Sequence, residues 1–111
     1  VLPEVAGPVL IKIEKELPMV FGKFQVNEFL ELQKILKENN FNINTIDKYF
    51  FYRNKRWDLQ QNDGLFIMLP SKNLKSSLEI YKKLKNNSKL DSIRIIDLRI
   101  TNQIILTHEE E

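Results

Sequence analysis

The side chains in this sequence that could act on a substrate are few and scattered. The only histidine, His108, is followed directly by three glutamates. An imidazole in so polar a stretch, with no nucleophile at a defined spacing, reads as a structural or solvent-facing group rather than a general base. Ser71, Ser76, Ser77 and Ser88 lack the Gly-x-Ser-x-Gly setting of an activated hydroxyl. The three glycines do not cluster, so no loop can cradle phosphates through its backbone. Cysteine is absent, which excludes a thiol nucleophile, a disulfide framework and a zinc knuckle but leaves the compartment open. Carboxylates are scattered among lysines, as on an ordinary solvated surface, and show no metal-ligand spacing. The expectation is therefore no catalytic residue, no metal and no cofactor.

Recognition chemistry remains. Lys72, Lys75, Lys82, Lys83 and Lys85 form the densest basic stretch. Tyr49-Phe50-Phe51-Tyr52 followed by Arg53, Lys55 and Arg56 places aromatic and basic groups together, as single-strand nucleic-acid binders do. A small basic α+β nucleic-acid-binding domain is thus one reading. The plainer one is that alternating aromatics fill one face of a strand and that lysines opposite leucines form a solvated helix face. The charge balance favours the plainer reading. Seventeen basic groups meet fifteen acidic ones, for a net charge of +2, so there is little field to attract a polyanion. The other recognition device is the short apolar run Ile104-Ile105-Leu106. As the last strand in the sequence it could lie at a sheet edge, where unpaired N–H and C=O groups offer themselves to another chain. Coverage by another strand is the equal alternative on pattern alone.

The elements that would position these groups follow from periodicity. The 111 residues are 42% hydrophobic, enough for one domain with a modest core and too apolar for disorder. Val9–Ile13 is a short strand candidate. Leu17-Pro18-Met19-Val20-Phe21-Gly22 reads as an extended piece ending in a turn, because Pro18 lacks an N–H and Gly22 permits positive φ. Asn27 is placed as the cap of a helix whose Phe29, Leu32 and Leu36 share a face, stopping at Asn39-Asn40. Phe41–Ile46 alternates as a strand. Tyr49–Gln60 forms a second, turning at Asn62-Asp63-Gly64 into Leu65–Leu69. Ser71 is read as capping a second helix, on which Leu74, Leu78, Tyr81 and Leu84 form one stripe. Ile93–Ile100 and Gln103–Thr107 are the last strands, joined at Thr101-Asn102, and the tail from His108 is expected to fray. The order predicts an α+β domain: a mostly antiparallel sheet with two helices packed on one face, Leu59 and Leu78 both inside the core. No repeat is visible in the sequence. No apolar run reaches the ~20 residues that cross a bilayer, and Val1 opens the chain without a signal peptide, as an excised piece of a longer protein would.

Four local patterns together resemble the extracytoplasmic β-domain of the FtsQ/DivIB bacterial cell-division proteins over residues 17–107. Leu17–Gly22 resembles the family's Leu-Pro-hydrophobic-x-Gly segment. Arg56-Trp57-Asp58-Leu59, then Gly64, Ile67 and Leu69-Pro70, resembles its Trp-x-Leu hairpin. The leucine-rich helix 72–85 takes the place of its second helix. Ile96-Asp97-Leu98-Arg99 resembles its hydrophobic-Asp-Leu-Arg strand, which a short last strand follows.

The resemblance implies a non-enzymatic scaffold of the divisome. It would be a bitopic inner-membrane protein with this domain on the periplasmic side, and the cytoplasmic tail, transmembrane helix and POTRA domain would lie outside this chain. It implies FtsB/FtsL-type division proteins as partners, bound by strand addition to the last strand. Arg99 matches the arginine that meets a partner carboxylate. Ile100 stands where an aromatic contact is common. Tyr81 and Leu84 match helix positions beside a partner's hydrophobic anchor. Lys55 or Arg56 falls near a second basic contact, and Gln103, Ile104, Ile105 and Leu106 form the pairing strand.

Overall fold

The computed structural model describes residues 17–87, 92–100 and 103–108. Its strands are β1 (Met19–Phe21), β2 (Ile46–Phe51), β3 (Trp57–Gln61), β4 (Phe66–Met68), β5 (Ile93–Asp97) and β6 (Ile105–His108). Helix α1 (Val26–Glu38) connects β1 to β2, and α2 (Leu74–Asn87) connects β4 to β5. The described strands form one sheet in their sequence order, β1 to β6. β1/β2 and β4/β5 run parallel, and the other three adjacent pairs run antiparallel. The α+β class and the mostly antiparallel sheet expected from the sequence are what the chain adopts.

The sheet reads as two β-α-β-β units in tandem. In each, a strand leads through a helix to a parallel neighbour, and an antiparallel strand follows. The two crossovers are equal in length, 24 residues each (22–45 and 69–92). Both advance in the same direction across the sheet from strands of the same orientation. Crossovers of one hand therefore put both helices on one face.

Alternation fixes what each face holds. Val20, Tyr49, Leu59, Ile67, Ile96 and Leu106 are successive cross-strand partners. This row meets Leu32 and Leu36 of α1 and Leu78 and Tyr81 of α2 in the main core. Leu59 and Leu78 are both buried, as expected. Phe29 packs edge-on against Tyr49 at 4.8 Å between ring centroids and lies 6.0 Å from Trp57, so aromatic contacts seat α1 on β2 and β3. The adjacent row, Phe21, Phe50, Asp58, Met68, Asp97 and Ile105, lies on the opposite face.

Several boundaries differ from the sequence reading. α1 begins one residue before Asn27, with Gln25 as its N-cap; Glu28 Oε1 accepts the Gln25 N–H at 2.9 Å. The stretch read as a strand from Phe41 contains a 3₁₀ turn at Ile43–Thr45, because the Asn42 side chain accepts from Asn44 N–H and its carbonyl from Thr45 N–H. The run Tyr49–Gln60 is two strands. A tight turn at Tyr52–Lys55 separates them, with Lys55 at φ 67°. α2 starts at Leu74 rather than beside Ser71. The hairpin at Asn62-Asp63-Gly64 is present, with Gly64 at φ 92°. Val9–Ile13 and Thr101-Asn102 fall outside the described residues.

Candidate functional site

The open side of β6 is the first part of the site. Among the described residues no strand pairs with it. The strand is Ile105–His108, two residues later than expected, because Gln103 N–H donates to Ile100 C=O at 3.1 Å and the chain is still turning there. His108 is the last residue of β6, paired with Ile93, rather than part of a frayed tail.

The direction of the peptide groups on β6 follows from β5. Leu98 N–H donates to Met68 C=O at 2.9 Å, so the peptide groups of Ile96 and Leu98 face β4, and those of Ile95 and Asp97 face β6. Their partners Thr107 and Ile105 turn inward. Leu106, between them, directs its N–H and C=O away from the sheet. Its side chain packs on the core with that of Ile104, whereas Ile105 is 47% exposed on the helix-free face.

The second part is a pair of ion pairs on that face. Asp58 and Asp97 flank Met68 across adjacent strands. Each is buried on a face that no described helix covers, because an arginine two residues away folds over it. Positions i and i+2 of a strand share a face, so Arg56-x-Asp58 and Asp97-x-Arg99 are both built for this. Arg56 Nη1 pairs with Asp58 Oδ1. Tyr52 donates its hydroxyl to Asp58 Oδ2 at 2.9 Å, and the Arg56 guanidinium lies 4.6 Å from the Tyr52 ring centroid. Arg99 grips Asp97 with Nε on Oδ1 at 2.9 Å and Nη2 on Oδ2 at 2.7 Å, and its backbone N–H adds a bond to Oδ1 at 3.0 Å.

These charges sense one another. The Arg99 side-chain bonds hold the Asp97 carboxyl below its ordinary range against an opposing desolvation, and Arg56 adds a smaller pull in the same direction. Asp97 in turn raises the Arg99 guanidinium, with lesser help from Asp58 and Tyr52. With its folded pKa depressed, Asp97 contributes its full stabilisation above the unfolded value of about 3.9. That contribution is lost as the pH falls through the lowered folded value.

The structure thus places Arg99, Arg56 and Ile105 on the helix-free face, Arg56 before β3, Arg99 just past the end of β5 and Ile105 on β6. It does not bring Lys55, Tyr81 or Leu84 there. Lys55 turns towards α1 and pairs with Glu28 at 3.0 Å. Tyr81 is a core residue, 5% exposed and stacked on Phe41 at 5.5 Å, so it has almost no surface to offer a partner. Leu84 packs against the same core. Ile100 is exposed beyond the end of β5. Asp58, Asp97 and Tyr52 were not among the expected site residues, although the i, i+2 spacing of opposite charges signals two of them.

The aromatic and basic run is divided: Tyr52 is 39% exposed with Arg56 over its ring, whereas the other aromatics pack against neighbouring rings. Tyr49 is buried against Phe29 and Trp57, and Phe50 is stacked on Phe21 at 5.1 Å. Among the described residues, no group of three or more His, Asp or Glu could hold a metal ion. None of their helices is long and apolar enough to cross a membrane.

Residues 3–99 match the family model described as cell division protein FtsQ/DivIB, C-terminal. The chain is 31% identical over 101 residues to the cell division protein FtsQ of Bradyrhizobium diazoefficiens, an alignment covering 86% of this chain and 28% of that relative. The chain therefore spans little more than a quarter of the relative's length. It belongs to the FtsQ/DivIB family of cell-division proteins.

Proposed function

We propose that this domain is a non-enzymatic docking module of the divisome, held on the periplasmic side of the inner membrane by a segment outside this chain. It binds periplasmic segments of FtsB/FtsL-type division proteins by strand addition to β6. The observation that carries the reading is the outward peptide group of Leu106 on a strand with no described neighbour beyond it. Main-chain hydrogen bonds to that edge would supply affinity, and side chains beside it would fix register. Ile105 offers apolar contact on one face and Arg99, 44% exposed, offers charge near the end of β5.

The test is titration of the purified domain with FtsB- and FtsL-type periplasmic peptides. Arg99→Glu is expected to weaken binding about tenfold by setting like charges together, a modest effect because Arg99 lies at a wet rim. Leu106→Pro removes an outward donor without removing a bond within the sheet. It should weaken binding well beyond Leu106→Ala, which loses the same side-chain packing and keeps the donor. Unchanged affinity in a folded Arg99→Glu domain, or equal affinities for the two Leu106 variants, would count against the reading.

A further inference from the structure

The family resemblance sets the Arg99 fork against a partner carboxylate. The structure shows that half of it is already engaged. Asp97 accepts from Nε and Nη2 of Arg99, in two parallel bonds, and from the Arg99 backbone N–H. Asp97 is itself fixed in β5, buried between Met68 of β4 and Ile105 of β6. Arg56, the other guanidinium of the cluster, is engaged by Asp58. A guanidinium carries five N–H donors in two usable forks. Asp97 occupies one fork, so the edge formed by Nη1 and the second Nη2 proton lies outside this pair.

We propose that Asp97 is a positioning residue for partner binding: by gripping the Nε/Nη2 edge of Arg99, it presents the Nη1/Nη2 edge to a carboxylate on a strand added to β6. This rests on the strand-addition reading above and names how its charged contact is prepared. A strand added beyond β6 would lie about 10 Å from β5, two strand spacings away, a span that an arginine and a glutamate cover together. An arginine held in place loses less freedom on binding than one waving in solvent. Because the second carboxylate takes donors that Asp97 does not use, it has no need to displace Asp97.

The experiment compares the FtsB- and FtsL-type periplasmic peptides used above with twins in which each carboxylate is exchanged in turn for its amide. The wild-type domain is expected to prefer the acid over one amide twin about tenfold, as a charge-assisted bidentate contact would give. Asp97→Asn keeps the shape but not the charge, and the preference should fall to about twofold. Arg99→Lys leaves Asp97 untouched but has no second fork, and it should lose the preference likewise. In an Arg99→Gln background, adding Asp97→Asn should change nothing further. The Arg99 Nε–H signal in NMR should exchange slowly in the wild-type domain and quickly in Asp97→Asn. A tighter complex for Asp97→Asn would make Asp97 a competitor and overturn the inference, as would an unchanged preference in that variant or a further loss in the Arg99→Gln background. If the wild-type domain binds none of the peptides, the strand-addition reading falls and this inference with it. If it binds but shows no acid preference, only the charged contact falls.

Discussion

Exchanging Arg56 for methionine is expected to destabilise the domain by about 3–5 kcal/mol, the range for stripping one partner from a buried ion pair. Asp58 is 1% exposed, and the Arg56 side chain only 12%. Without the guanidinium, the carboxylate keeps the Tyr52 hydroxyl as a donor and no cation within its own pair. Arg56 also lies over the Tyr52 ring and donates to the Leu69 carbonyl at 3.4 Å, so it links the β2–β3 turn to the end of β4. The methionine removes all of these polar contacts while keeping a long side chain. Urea unfolding would read the loss. The double variant Arg56→Met/Asp58→Leu should recover most of it, because removing both charges leaves no orphan. A loss below about 1 kcal/mol would mean that water reaches Asp58 and that the pair behaves as an ordinary surface contact.

The second large effect is expected at a residue with no side chain. Gly22 has φ 110°, and a Cβ there would sit 2.4 Å from the Phe51 carbonyl oxygen. Both terms act against Gly22→Ala. The backbone angle is one that side-chain-bearing residues rarely adopt, and the obstructing atom is main chain that cannot swing aside. A cost of about 3 kcal/mol is expected, combining strain with a displaced β2 end. The damage should centre on β1, which pairs with β2 at Phe21↔Phe50, immediately before the glycine. Thermal unfolding and amide exchange along Val20 and Phe21 would check it. Gly64→Ala is the contrast, since φ is 92° there but nothing lies within 4 Å of the added carbon. That variant should lose only the backbone term.

Where one periodic signal dominated, the sequence was legible. α2 carries leucines on one stripe and lysines elsewhere, and the hairpin glycine marks its own turn, so both were readable. The region 41–60 was not. Phe41, Ile43 and Thr45 alternate as strand residues do, yet Asn42 folds its own neighbours into a 3₁₀ turn through side-chain and carbonyl bonds. Local asparagine chemistry there outcompetes the period of two. The turn at Tyr52–Lys55 was hidden because it contains neither glycine nor proline, and Lys55 itself takes the left-handed angle. At the site, the sequence and its family resemblance pointed to Arg99 and the last strand. They could not reveal that Tyr81 is used up by the core. A helix stripe shows which side chains share a face, but not which of them the facing elements cover completely.

The tandem β-α-β-β arrangement bears on how a guest strand would lie. Within the domain, β3 ends the first unit and β6 ends the second, so the two are equivalent by topology. The outer side of β3 is occupied by β4, the opening strand of the next unit, in antiparallel register. Among the described residues nothing pairs with the outer side of β6, so it corresponds to the place of a third unit's opening strand, and a partner strand that followed the same rule would enter it antiparallel, as a stand-in for such a repeat.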